Sequence, residues 1–248
     1  MAAAFIQAVA ANGTGSSTTL TSGAFGSSTT TGSAIFVAVS FDDGISSTAT
    51  VTDSKGNTYT AVTTKFVSSN TQAIQLFYTL NATGGAAHTV TVTLTNSRPF
   101  RYIVAHEVSG IATSGAFDQR TEGESTTATV TTASVTTTTA GQYIFAAVVN
   151  DSTAGDTFAP SGSYTEPANG TASAGANEMQ TQYQVQVSAG SIAGTWTRSA
   201  SGHQAYALGT FKAAATATAD TAFQAGAFQG DAFQIWGYTV AGGGALVD

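Results

Sequence analysis

The segment His88-Thr-Val-Thr-Val-Thr-Leu-Thr95 alternates without a break, with Val90, Val92 and Leu94 on one side and threonines on the other. A period of two is the period of a strand; on a helix the same residues would scatter around every face. The rhythm recurs along the chain. Ser33–Phe41 is a short apolar run that stops at Asp42-Asp43-Gly44. Thr48–Val51 stops at Asp53-Ser-Lys-Gly56, Asn57–Val62 resumes, and Gln72–Leu80 ends at Asn81-Ala-Thr-Gly-Gly85. Arg101–Val108 ends at Ser109-Gly110. β-Branched and aromatic runs punctuated by Gly, Asn and Asp are strands joined by tight turns. No window of helical length carries a 3.6-residue period, and Pro99, Pro160 and Pro167 fall at or near strand ends, where a missing N–H is tolerated.

The second half echoes the first. Gln142–Val149 resembles Ser33–Ser40, Gly162–Glu166 resembles Gly56–Thr60, Met179–Val187 stands where Gln72–Leu80 stands, Ile192–Arg198 follows a glycine turn as Val90–Leu94 does, and His203–Phe211 matches Arg101–Val108. The offset stays near 100–110 residues, a duplication of one strand order. The expectation is an all-β chain, an antiparallel β-sandwich of jelly-roll or immunoglobulin-like type with about 14 strands. Two small sandwiches in tandem or one large one fit the pattern, and one body over 1–212 is preferred, since all-β folds of this length are commonly single domains. Its pseudo-repeats run over about 33–112 and 141–212, with a polar link between them in which Ala128–Val135 has strand character.

Composition narrows the function classes. Threonine occurs 44 times, only 8% of residues are charged, and the net charge is −7. Seven Lys and Arg in 248 residues leave little to neutralise phosphate, so nucleic acid is not an expected partner. Without cysteine there is no disulfide framework and no thiolate zinc site. No apolar run is long enough to span a membrane as a helix, and the first cation is Lys55, so a secretory signal with a basic n-region is not expected. A hydroxyl-rich surface without such a signal suits release by lysis or by a non-classical route.

Acid–base candidates read more simply as structure. His106 and Glu107 are adjacent on a strand and point to opposite faces. His88 and His203 have no partner at metal-ligand spacing, and Asp42, Asp43 and Asp53 sit in ordinary turn sequences without the pattern of a calcium loop. Glu122 and Glu124 share a strand face, as a carboxylate pair in a glycosidase would, but lie in the polar link. Neither a Gly-x-Ser-x-Gly elbow nor a Walker-type loop occurs. The expectation is a non-enzyme with no cofactor and no metal. Asn12, Asn81, Asn150 and Asn169 form sequons, which matter only on a secretory route. Tyr164, Tyr183 and Trp196 are the aromatics a glycan would use, with a core role the simpler reading for each.

After Lys212 the character changes. Ala213–Ala219 is a low-complexity linker, and Ala-Phe-Gln then repeats three times at a five-residue step, placing Phe223, Phe228 and Phe233 ahead of Trp236 and Tyr238. Five residues turn 140° off register on a helix and change face on a strand, so the three rings share no face of a regular element. Burying them is worth roughly 5–9 kcal/mol before ordering costs. Residues 213–248 therefore read as an extended C-terminal arm that either docks on its own sandwich or, the preferred reading, anchors to a neighbouring subunit or another protein, with Phe223, Phe228, Phe233, Trp236 and Tyr238 as its partner-binding residues.

Val51-Thr-Asp-Ser-Lys-Gly-Asn-Thr-Tyr59, Thr89-Val-Thr-Val92 and Glu107-Val-Ser-Gly110 resemble a β-sandwich of phage and bacterial surface proteins, and the Ala-Phe-Gln triplet resembles tails of tailed-bacteriophage structural proteins. The first likeness spans about residues 33–120 and the second only the C-terminus. The resemblance implies a virion surface component: a capsid decoration (cement) protein, homo-oligomeric, on the outer face of the particle, held to the major capsid protein or to neighbouring copies. The alternative it implies is a tail-fibre or adhesin module that binds host glycans.

Overall fold

The computed structural model describes residues 2–43, 46–150, 157–174, 177–199 and 201–215. Among them there is no helix, and nineteen strands follow one another in two series. The first series is β1 (Ala4–Gly13), β2 (Ser17–Thr21), β3 (Ala34–Asp42), β4 (Ala49–Asp53), β5 (Thr60–Ala61), β6 (Phe66–Val67), β7 (Gln72–Thr79), β8 (Val90–Arg98) and β9 (Arg101–Ser109). The second is β10 (Phe117–Ser125), β11 (Thr129–Thr131), β12 (Val135–Thr136), β13 (Gln142–Asn150), β14 (Phe158–Pro160), β15 (Thr171–Ala174), β16 (Asn177–Gln186), β17 (Ser191–Ile192), β18 (Thr195–Arg198) and β19 (Gln204–Phe211). Every ladder is antiparallel.

The two series build the same object. A large sheet in the order β1-β9-β3-β7-β5 faces a small sheet β2-β8-β4, and a large sheet β10-β19-β13-β16-β15 faces a small sheet β11-β18-β14. The correspondence reaches the details. Phe5-Ile-Gln7 and Phe117-Asp-Gln119 each carry a bulge at the start of an edge strand, and Thr60 pairs Tyr78 as Thr165 pairs Tyr183. The match thus includes β1 and β10, which lie outside the two segments whose sequences echo each other.

Three interlayers hold the two large and the two small sheets together, and a fifth sheet pairs β12 with β17. The two large sheets pack on each other through Phe36, Leu76, Tyr102, Tyr143, Phe145 and Phe211, all buried. Phe36 is the hub, its ring 4.2 Å from Phe211 and 5.4 Å from Tyr143. In the first sandwich, Val37, Val39, Phe41, Phe77 and Ile103 of the large sheet meet Val90, Val92 and Leu94 of the small one. In the second, Ile144, Ala146, Val148 and Leu208 meet Val130, Phe158 and Trp196. Alternation explains this: the odd residues of β13 face the central core and the even ones the outer sheet. β3, β9, β13 and β19 are covered on both faces and are mostly apolar, with His106 and Glu107 the exceptions in the middle of β9, whereas β8 is covered on one face and alternates.

The outer faces of both small sheets are mostly threonine, with Ala159 beside Thr197 in the second. Thr19, Thr93 and Thr50 form one row across three strands and Thr21, Thr91 and Thr52 the next. Thr129 stands opposite Thr197, and Thr131 opposite Thr195.

Candidate functional site

A buried polar cluster is built on the turn after β4. Asp53 closes that turn by accepting from Lys55 N (2.9 Å) and Asn57 N (3.0 Å) at Oδ1. Gly56 takes φ +78° there, a conformation that favours glycine. Oδ2 accepts from Asn57 Nδ2 (2.8 Å) and from the Tyr59 hydroxyl (2.9 Å), and His88 Nε2 stands 2.9 Å away. On its other side the His88 ring shares a hydrogen bond of 2.8 Å with Thr29 Oγ1. Burial alone would raise the Asp53 pKa, but the bonds from Asn57, His88 and Tyr59 outweigh it and hold the carboxyl below its usual range. Burial and the neighbouring carboxylate push the Tyr59 phenol far up, so it stays a donor.

Hydroxyl, imidazole and carboxylate in a row have the composition of a hydrolytic triad. Here the row is a strut. His88 and the Asp53 side chain are fully buried, and Thr29 Oγ1 is engaged by Gly85, whose N–H donates to it (3.1 Å) and whose carbonyl lies 3.3 Å away. The cluster fastens the 53–59 turn and the 81–88 segment to the strands beneath.

Other candidates are likewise used by the frame. Asp43 contacts Lys65, accepts from Ser47 N (2.8 Å) and lies 3.6 Å from Arg98. Asp42 accepts from Thr71 (2.9 Å). The three turn aspartates serve separate clusters, and among the described residues no three His, Asp or Glu side chains converge as metal ligands would. His106 and Glu107 do face opposite ways. His106 lies in the central core between Tyr143 (3.2 Å) and Thr181 (2.8 Å). Since Thr181 donates to Gly170 O, it accepts from Nε2–H, and Nδ1 accepts from Tyr143. Burial lowers the His106 pKa to about 3, so the ring is neutral. Glu107, on the other face, accepts from Gln7 Nε2 and Thr30 N, each at 2.6 Å.

Glu122 and Glu124 do share a face of β10, where Thr64 donates to Glu122 (2.5 Å) and Ser69 donates twice to Glu124 (2.7 Å). They clasp the 62–69 loop. The Ser69 bonds hold the Glu124 pKa below its usual range. Asp118, which sequence reasoning did not single out, accepts from Gln142 (2.6 Å) and from Thr138 N and Oγ1 (2.8 and 2.7 Å), with Lys212 at 3.5 Å. Its position in the bulge of β10 is not visible in local sequence.

The aromatic candidates are interior groups. Trp196 is fully buried, Tyr183 stacks between Phe5 (4.8 Å) and Tyr143 (5.5 Å), and Tyr164 packs against the second interlayer. Trp196 and Tyr183 offer no open ring face as a sugar platform. Phe223, Phe228, Phe233, Trp236 and Tyr238 lie outside the described residues. Where the described chain ends, Ala213 to Ala215 line a groove of about 550 Å³ with Ala2, Lys212 and Val187. Val187 has 86% of its surface exposed.

Searches of protein-family models, of curated proteins and of solved structures gave no match to this chain.

Proposed function

We propose that this chain is a non-enzymatic structural component of a virion's outer surface, a capsid decoration protein whose sandwich body coats the particle and whose residues 213–248 anchor it to neighbouring subunits. The observation that carries the reading is where the polar chemistry goes. Asp43, Asp53, Glu107, Glu122, Glu124 and His106 are all bonded within the frame, and what the small sheets turn outward is mostly threonine. A frame locked from inside and covered by short uncharged side chains suits a coat exposed to the medium. Many copies on a lattice would hold by avidity even where each arm binds weakly.

The test uses the full chain. Wild type is expected to be a trimer or larger by light scattering over a range of concentrations. The triple substitution Phe223→Ser, Phe228→Ser and Phe233→Ser is expected to be a monomer with an unchanged Tm. Equal mass and equal Tm in the two proteins would sink the anchoring role of the arm and the reading built on it.

A further inference from the structure

The second interlayer differs from the first in one respect that has a dynamic consequence. The face that β16 turns toward the outer sheet reads Glu178, Gln180, Gln182, Gln184 and Gln186, with Gln180 opposite Val148 and Gln182 opposite Ala146. β19 adds Gln204 on the same face, opposite Asn150. Gln182, Gln204 and Asn150 are fully buried and Gln180 nearly so. Among the described residues, both polar atoms of Gln182 and of Gln204, Gln180 Oε1, Asn150 Nδ2, Trp196 Nε1 and the Tyr164 hydroxyl find no hydrogen-bond partner, and these atoms are buried. Each such group forfeits in the closed state the hydrogen bonds it would make with water.

The sheet above this layer is lightly held. β11 and β14 each pair with β18 over three residues, where β2 and β4 pair with β8 over four and five. Its apolar anchors are Val130, Phe158 and Trp196. Side-chain bonds tie its edge to β16: Glu178 accepts from Phe158 N (3.0 Å), and Gln180 Nε2 donates to Phe158 O (2.7 Å). At its base β12 pairs with β17, and the Thr137 hydroxyl bonds to Gln186 (2.8 Å) and to Gly190 (3.1 Å).

We infer that the outer sheet of the second sandwich, β11, β14 and β18, is a cover that opens as a unit about its β12–β17 base while both large sheets stay folded. Opening gives water to the amides of Gln182 and Gln204 and to the Trp196 indole, at the cost of the apolar contacts of Val130, Phe158 and Trp196. The first sandwich has no such row of glutamines: the position of Gln182 is taken there by Phe77, and its buried Asp53, His88 and Glu107 are engaged with one another or with Gln7, Thr30 and Tyr59.

Hydrogen–deuterium exchange on the full-length protein tests this. Segments 158–160 and 191–198 are expected to exchange roughly 100-fold faster than segment 90–98, with 142–150 as protected as 34–42. Equal protection of 191–198 and 90–98, or loss of protection by 142–150 together with 191–198, overturns the inference. The double substitution Gln182→Leu and Gln204→Leu removes four unpartnered atoms and is expected to slow exchange of 191–198 by roughly tenfold or more. Unchanged or faster exchange in that variant, with the central core intact, overturns the assigned cause. Should the variant not fold, the wild-type comparison decides alone.

Discussion

The two sandwiches have the same strand order and similar large sheets, yet they were filled by different rules. In the first, the space between large and small sheets holds Phe41, Phe77, Ile103 and Leu94 among fifteen buried apolar side chains, and its main polar cluster, around Asp53, has its lone pairs used. In the second, eight buried apolar residues share the space with glutamines. The central core, which both halves build, is mostly apolar and aromatic, and its one histidine, His106, is bonded on both ring nitrogens. A duplicated topology therefore tolerates one weakly filled interlayer when a shared interface does most of the holding. Strand order is set by pairing and turns; how firmly a layer closes is set by what it buries.

The sharpest way to break the contrast is to copy the second interlayer into the first. Phe77→Gln places an amide where a buried ring stood, and should cost about 4 kcal/mol or more, from lost packing and an unmet polar group together. Urea denaturation gives the total, and exchange at 90–98 should rise toward that at 191–198. A cost below about 1 kcal/mol would mean that the first outer sheet is not held by its apolar contacts.

A smaller effect separates the polar clusters. Asp53→Asn keeps the shape but sets an amide against donors from Asn57, Tyr59 and His88, and should cost about 2–3 kcal/mol at pH 7. The sign with pH follows from the lowered Asp53 pKa. The folded state binds its proton less readily than the unfolded chain, so stability from this group is fully present above the unfolded value, about 3.9, and is lost as pH falls through the lower folded value. The variant should lack that part of the acid limb, and a wild-type acid limb retained in full would remove the cluster from it.

Much of this frame is legible in the alternation. The runs at 33–41, 72–80, 88–95, 101–108, 142–149 and 203–211 lie on β3, β7, β8, β9, β13 and β19, because strands covered on one or both faces announce themselves by their apolar residues. β10 was hidden in what reads as a polar link. Its Asp118, Arg120, Glu122 and Glu124 look like loop chemistry, but they satisfy an edge strand by bonding to Val62, Thr64, Ser69 and Thr138. β1 was hidden by its alanines, which suffice for an edge strand packed through Ala8 and Val9. The Asp53-Ser-Lys-Gly56 turn and the divergence of His106 and Glu107 are also local and readable. The Thr29–His88–Asp53 row joins residues 24 to 59 positions apart, and the glutamines of β16 look like surface residues until β18 is laid over them. Long-range partners of that kind leave no trace in spacing.

The smallest predicted effect concerns Glu178, and its sign is opposite to that of Asp53. Burial, opposed by the bond from Phe158 N and aided by the charge of Glu166, raises the Glu178 pKa. The folded state therefore holds this proton more tightly than the unfolded chain, and stability falls as pH rises from the ordinary glutamate value of about 4.3 through the raised one. Glu178→Gln keeps an oxygen to accept from Phe158 N and carries no charge to desolvate. It should be neutral near pH 4 and stabilising by up to about 1 kcal/mol at pH 7, with slower exchange of 158–160. The two carboxylates thus report on their layers: acid loosens the first sandwich through Asp53, and neutral pH loosens the second through Glu178. A pH series of urea midpoints on wild type, Asp53→Asn and Glu178→Gln should show two limbs of opposite slope, each abolished by one substitution. If Glu178→Gln lowers the midpoint at pH 7 instead, its ionised form is an anchor of β14, and the cover is tied more firmly than its unpartnered amides imply.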